Sequence, residues 1–410
     1  MAIYLPWVAW CLGARRTLQG GSGSPVIWTL PLTPDDQRRV RVYPVSSSGQ
    51  VGDGSEMKPD YRWLLGPGTA GRLERWWADV GAGRVLPGAR VASRLREDPV
   101  AESTPEAILK LLLATRSPRI FAESEVAGDG SDWTAAELAL LGDVCCAMPV
   151  TVYDDGRHSA PRIHRPPFAA HLVFVPGALL SQGRGMLSPD WREVVRDGDI
   201  DPTAWAHLYQ RRLGPAFEWM AATAAGLGRE AVVTVPGLGC GMFAGPFRGR
   251  LGVRLGRVLK DLLDARGHRW PAIRLVRYDP WNEGDNEEWQ APGGPLLRIR
   301  PFARGRGRPQ LSRPGDFGEG DEDLAGAALF SIVAWDHVSW PGNDFWGGAR
   351  STDDGVKAAA TDTMYRITGI RGAYDPDRAR YQPPEGHATW GDLAATRGIR
   401  LQVDGNLQIL

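Results

Sequence analysis

Four short apolar runs, each ending at a turn or at a change of period, most constrain what this chain can fold into. Residues 171–175 (HLVFV) and 231–235 (AVVTV) both stop at Pro-Gly. Residues 273–278 (IRLVRY) and 328–335 (ALFSIVAW) have similar length and character. Apolar runs of this length bounded by turn formers read as buried strands. Helical stretches lie between them. Residues 202–225 read as a helix interrupted at Gly214-Pro215. Leu251, Leu255, Val258, Leu259, Leu262 and Leu263 share one helical face, while Arg250, Arg254, Arg257, Lys260 and Asp261 lie off it. Asp132 reads as the cap of a helix running through residues 135–146, and Ser103 or Thr104 as the cap of another over 106–114. This alternation predicts an α/β fold: a mixed, mostly parallel sheet with helices on both faces. Residues 1–125 read as an α+β extension with no assigned chemistry, and 126–400 as the regular domain.

Composition removes several function classes. The 410 residues hold 48 basic and 48 acidic side chains, a formal net charge of zero. That balance argues against a nonspecific nucleic-acid binder and a polybasic membrane anchor. With 51 Gly and 32 Pro, loops are many or long, and 19–25, 45–58 and 300–322 read as exposed ones. The four cysteines (Cys11, Cys145, Cys146, Cys240) form no CxxC, which argues against a disulfide scaffold and points to a reducing cytoplasm. Seven His residues form no HExxH, so no metal site is expected. No apolar run reaches membrane-spanning length, and the basic pair Arg15-Arg16 follows the apolar start instead of preceding it, unlike a signal peptide. The 17 Trp ask for a core or a ligand pocket to hold them.

Two segments carry candidate chemistry, each just past an apolar strand, where ligands bind in such sheets. The first is 236–245 (PGLGCGMFAG), directly after the 231–235 strand. Gly237, Gly239 and Gly241 let the backbone approach a ligand, and free amides at the start of the next helix suit an anion such as a diphosphate. No Gly-Lys-Ser/Thr follows, and GxGxG is not the dinucleotide fingerprint, so a tight turn that binds nothing is the plain alternative. Phe243 could stack on a ribose or pack in the core; Cys240 reads most simply as a small filler. The second segment, 334–355, gathers Asp336, Asp344, Asp353 and Asp354 with His337, Asn343, Phe345 and three Trp (Trp335, Trp340, Trp346). Such carboxylates could contact ribose hydroxyls, hold a cation or activate water, while the aromatic rings dry the pocket or build the core.

Together the segments resemble those of a macrodomain, the α/β module that binds ADP-ribose. VVTVPGLGCGMFAG is similar to the second, phosphate-binding loop of that family, and SIVAWDHVSWPGNDFWGG to the first, which faces the distal ribose. Their order along the chain is reversed relative to most macrodomains. Asp336, Asp344 and Asp354, eight and then ten residues apart, resemble the aspartate triad of the arginine-specific ADP-ribosylhydrolase group. Ala334-Trp335-Asp336-His337 stands where ordinary macrodomains carry Asn-Ala-Ala-Asn, so the ordinary Asn-based mechanism does not transfer. The resemblance covers roughly 130–395. It implies removal of ADP-ribose from arginine side chains of a modified protein, with Asp336, Asp344 and Asp354 catalytic: Asp344 activating water or the substrate guanidinium, Asp336 and Asp354 anchoring ribose hydroxyls or the leaving guanidinium. The implied ligand contacts are Gly237, Gly239, Cys240, Gly241, Met242 and Phe243, then Asn343, Phe345 and Trp346, and Asp323 for the adenine amino group. ADP-ribose is ligand and product, and no cofactor is required. A non-catalytic ADP-ribose reader, or another nucleotide or sugar-phosphate hydrolase, are the competing expectations.

Overall fold

The computed structural model describes residues 60–98, 100, 102–120, 123–181 and 185–410. The loops expected at 19–25 and 45–58, and Cys11, lie outside the described residues. Nine strands form one sheet: β1 (Arg62–Leu65), β2 (Cys145–Asp154), β3 (Ile163–Pro176), β4 (Ala231–Pro236), β5 (Ile273–Asp279), β6 (Glu287–Gln290), β7 (Leu296–Ile299), β8 (Ala328–Trp335) and β9 (Leu407–Ile409). Their order is β9-β1-β2-β3-β8-β4-β5-β7-β6. The central run β3-β8-β4-β5-β7 is parallel throughout, and β2 and β6 are antiparallel to their neighbours on either side of it. This is the mixed, mostly parallel α/β sheet that the alternating pattern predicts.

Because strand side chains alternate, each central strand feeds two cores. Phe174 and Leu172 enter one with Trp63, Trp335 and Trp340; Val173 and Val175 enter the other with Trp205, Phe217 and Leu255. The first core lies under α1 (Pro67–Gly81), α2 (Pro105–Leu113), α3 (Ala135–Leu141) and α7 (Asp353–Ala360). The second lies under α5 (Pro202–Gly226) and α6 (Leu251–Arg266). The leucine stripe of α6 is buried along its whole length, and Thr104 caps α2 through Ala107 N at 3.3 Å.

Several expectations are corrected. The helix expected over 135–146 ends at Leu141, and Cys145-Cys146 open β2. Its cap is Thr134, which with Glu137 makes a reciprocal capping box, and Asp132 lies outside it. Gly214-Pro215 does not break α5, because Leu213, Gly214, Pro215, Ala216 and Phe217 are all buried and tertiary packing holds the turn. Residues 300–322 are not simply exposed: Leu311 and Phe317 join the first core, and Glu319 pairs with Arg277 and Arg300. The domain boundary expected near 125 moves to about 57. The compact unit runs Met57–Leu410, since β1 lies inside the sheet between β9 and β2.

One buried ionic network ties these layers together. Arg212 of α5 is fully buried and donates to Asp190 at 2.6 Å, to Asp143 at 3.4 Å, and to the carbonyls of Pro176 and Gly177 at 3.3 and 3.1 Å. Asp143, just past α3, also accepts from Arg72 of α1 at 2.7 Å and Arg211 at 2.6 Å. Removing one partner from such a network strands the others as uncompensated buried charge. Arg212→Met is expected to destabilise the fold by roughly 3–5 kcal/mol, read as a lowered urea midpoint. A midpoint within error of the wild type would show that the network is dispensable.

Candidate active site

Strands β3, β8 and β4 run parallel, so residues 176–180, 336–342 and 237–242 leave the sheet at one edge. Gly177 N donates to Trp335 O at 3.0 Å. The glycine loop packs against the loop after β3 with no room for side chains. A Cβ on Gly177 would lie 2.5 Å from Gly239 N, and one on Gly239 (φ +70) would lie 2.7 Å from Ala178 O. Leu180 N then donates to Phe243 O at 2.7 Å. Gly239 thus serves close approach between two loops, whereas Gly241 faces open space and Met242 is exposed. Cys240 is half-buried, and burial pushes its thiol above the usual range.

The helix N-terminus expected to receive the diphosphate is already occupied. A turn of 3-10 helix (Met242–Phe247) separates the glycine loop from α6. The second amide of α6, Gly252 N, donates to Glu283 Oε2 at 2.7 Å. An internal carboxylate therefore answers the positive end of that helix. The amides left for an anion are those of the glycine loop.

Two of the three aspartates, Asp344 and Asp354, meet at Thr352, the N-cap of α7, while Asp336 reaches Asp354 only through its charge. Asp344 Oδ2 accepts from Ser351 N at 3.0 Å, Ser351 Oγ at 2.5 Å and Thr352 N at 2.9 Å, and its Oδ1 lies 2.8 Å from Thr352 Oγ1. Gly355 leaves space for it: a Cβ there would fall 1.4 Å from Asp344 Oδ1. Asp354 Oδ2 accepts from Asn343 N at 2.9 Å, and its Oδ1 lies 2.6 Å from the same Thr352 Oγ1. One hydroxyl has one hydrogen to give, so the second of these two contacts needs a carboxyl proton. Burial first, then Asp344, and after it Asp336 and Asp353, push the Asp354 carboxyl well above the usual range. Asp354 is the group that keeps a proton here. Asp336 Oδ1 accepts from Val338 N and Ser339 N, both at 2.7 Å, and its Oδ2 from Ser339 Oγ. Asp353 is paired with Lys357 at 3.0 Å. The three candidate carboxylates are 4%, 7% and 3% exposed for Asp336, Asp344 and Asp354.

The remaining expected contacts divide. Asn343 belongs to the cluster through its amide, and its Oδ1 accepts from Ile120 N at 2.8 Å. Phe243 is half-buried beside His337, ring centroids 6.4 Å apart. Phe345 and Trp346 are corrected to core residues: both are buried, and Trp346 packs edge-on against Trp340 and donates to Pro341 O at 3.0 Å. Asp323 is corrected as well. It is exposed, caps its own turn through Ala325 N at 2.9 Å, and precedes the first residue of β8, whereas Asp336 follows the last. An eight-residue strand, on the order of 25 Å, separates the two ends.

A family model described as macrodomain effector MavL matches residues 61–387. The chain belongs to this macrodomain family. No curated protein matches it.

Sequence reasoning passed over several residues around these loops. Nothing in the sequence marks Thr352 as the link between two carboxylates. Asp190 and Arg212 carry no local signal, since buried Arg and Asp look like surface residues in a sequence. Trp281 is 58% exposed in a left-handed conformation (φ +62) and lies flat on Phe302, centroids 5.4 Å apart and planes 3° from parallel. Asp279 Oδ1 fixes both rings, accepting from Trp281 N at 2.8 Å and Phe302 N at 2.9 Å. Asp279 pairs in register with Pro236, so this platform adjoins the glycine loop. A cavity of about 440 Å³ among Asp60, Tyr365, Arg366, Asp404 and Asn406 contains none of these residues. Its lining offers mixed charge. Among the described residues no three His, Cys, Asp or Glu side chains are placed to hold a metal ion.

A carboxyl whose folded pKa is raised lowers stability as pH rises from its unfolded value through its folded one. Asp354→Asn keeps an acceptor for Asn343 N and is neutral without having to take up a proton on folding. The variant is expected to be more stable than wild type by roughly 1–2 kcal/mol at pH 7, with the gain shrinking toward pH 4, where the carboxyl of the unfolded wild-type chain is protonated as well. Thermal melts of both proteins across this range check it; a gain that does not change with pH would count against the charge argument.

Proposed function

We propose that this macrodomain is an ADP-ribosylhydrolase that removes ADP-ribose from arginine side chains of a modified protein. The observation that carries the reading is the Asp344–Thr352–Asp354 arrangement, at the sheet edge that also bears the glycine loop. Asp354, Asp344 and Asp336 are crowded carboxylates, and a guanidinium supplied by the substrate relieves their mutual repulsion. In the reaction the C1″–N bond breaks with its electron pair going to nitrogen, so the cationic guanidinium leaves as neutral guanidine. Water oxygen forms the new C1″–O bond; a protonated carboxyl gives its proton to the departing guanidine and regains one from the water. The carboxylates stabilise the positive charge that builds on the ribose.

Asp354 suits the proton-handling role better than Asp344, whose oxygens already face four internal donors. Asp344 then acts by setting the proton affinity of Asp354, and Asp336 by shaping the turn after β8. The glycine-loop amides of Gly237, Gly239 and Gly241 would receive the diphosphate, with Met242 and Phe243 beside them. The Trp281–Phe302 pair offers a flat surface for the adenine, taking over the role expected of Asp323. The leaving group is already cationic, so the reading needs no metal. The partner is an arginine-modified protein, not nucleic acid or membrane. No described helix is long and apolar enough to cross a membrane, and the free Cys145, Cys146 and Cys240 suit a reducing cytoplasm.

The low exposure of the three carboxylates favours one alternative, a reader that binds ADP-ribose without cleaving it. Calorimetry against ADP-ribose, AMP and NAD, followed by incubation with an arginine-ADP-ribosylated protein in EDTA, separates the readings. Expected are preferential binding of ADP-ribose and its release by the wild type. Asp354→Asn should bind within about threefold of wild type but turn over roughly 10²-fold or more slowly. Binding without release identifies a reader, and no ADP-ribose binding overturns both.

A further inference from the structure

His337, one residue past Asp336 and 1% exposed, has only one of its two ring nitrogens accounted for. Nε2 lies 3.2 Å from Asp190 Oδ2 and 3.5 Å from Arg212 Nη2. Burial opposes the charge on Asp190, yet Arg212 and then His337 outweigh it and hold this carboxyl well below the usual range. An ionised carboxylate only accepts, so Nε2 carries a ring hydrogen, and in the neutral form of the ring the lone pair lies on Nδ1. Nδ1 is buried and has no hydrogen-bond partner. Buried polar atoms left without a partner are rare in native proteins and point to a water, a ligand or a catalytic role.

The surroundings hold the ring in place. A Cβ on Gly142 would come within 2.5 Å of the His337 Cδ2 and 2.8 Å of Arg212 Nη2, so that glycine leaves the space both side chains occupy. Asp190 Oδ2 also accepts from Leu179 N at 2.8 Å, and Arg212 donates to Gly177 O at 3.1 Å. The residues that orient the imidazole therefore also hold the loop after β3. Half-buried Phe243 of the glycine loop is tilted beside the ring, centroids 6.4 Å apart.

We propose that His337 is a ligand-contacting residue of this site, its Nδ1 accepting a hydrogen bond from a hydroxyl of bound ADP-ribose, with Asp190 and Arg212 as positioning residues that fix its tautomer. This inference rests on the ADP-ribose reading above. No bond is made or broken in the contact, and the ring keeps its Nε2 hydrogen throughout. His337→Gln retains an amide N–H toward Asp190 but has no acceptor at the Nδ1 position; His337→Asn carries its amide oxygen near that position. Calorimetry with ADP-ribose should show His337→Gln binding roughly five- to tenfold more weakly than wild type, with His337→Asn recovering most of the loss. Equal affinity of His337→Gln and wild type overturns the inference. Should the variants fail to fold, wild-type protein labelled with 15N-histidine serves instead. ADP-ribose is expected to shift the His337 Nδ1 resonance while Nε2 stays protonated, and an unmoved Nδ1 resonance overturns the contact. A wild type that binds but leaves Nδ1 unmoved refutes this contact alone, whereas one that does not bind ADP-ribose refutes the parent reading too.

Discussion

Arg212 is the interaction on which the rest of the site depends. A fully buried guanidinium is tolerated only when its donors are matched, and here two carboxylates and two carbonyls match them. Those partners come from places far apart in the chain: Asp143 after α3, Asp190 on the short helix Pro189–Val194, and the turn at residues 176–177. Satisfying one side chain therefore fixes where α5, the helices over the opposite face and the loop after β3 stand relative to each other. The glycine loop then seats against that loop at Ala178, and Phe243 reaches the turn that carries His337. The glycine loop and the turn that carries His337 inherit their geometry from one buried charge.

The aspartate cluster follows the opposite logic. Around Arg212, charges of both signs are paired inside the fold. Around Thr352, carboxylates meet with too few internal cations: Asp353 has Lys357, while Asp344 and Asp354 face each other across a hydroxyl. Such an arrangement costs stability and persists where binding or catalysis uses it. It also gives the two acids different surroundings: Asp344 is wrapped by the amides and hydroxyls of Ser351 and Thr352, and Asp354, with fewer donors, is pushed toward its protonated form.

The central strands were legible because burial on both faces leaves apolar runs that end where the chain must turn. The leucine stripe of α6 was legible for a similar reason: a helix with one buried face shows its period. Asp336, Asp344 and Asp354 were singled out through a resemblance in their spacing, and one loop and the first turn of α7 carry them. What failed was whatever depends on partners distant in the chain. Cys145-Cys146 looked like the end of a helix because nothing local announces that β1 will pair with them. Asp323 looked like a neighbour of the site because composition does not say at which end of β8 a residue lies. Phe345 and Trp346 looked like pocket walls, but the rings face the core that their own loop closes. The free helix terminus was misjudged because its cap, Glu283, comes from beyond the helix it serves.

The pairing of β1 with β9 carries a consequence for how the domain is made. The sheet's earliest strand lies inside it, flanked on one side by residues 407–409. Around this pairing, Trp63 Nε1 donates to Gln402 O at 2.9 Å and Gln402 N to the Tyr61 hydroxyl at 2.7 Å. During synthesis from the N-terminus, β1 must wait with an open edge for more than three hundred residues, until the segment around 402–410 leaves the ribosome. Central pairings such as β2 with β3 can form early, but closure of the sheet is reserved for the end. Until residues 407–409 pair with it, that edge of β1 presents unpaired backbone groups open to mispairing.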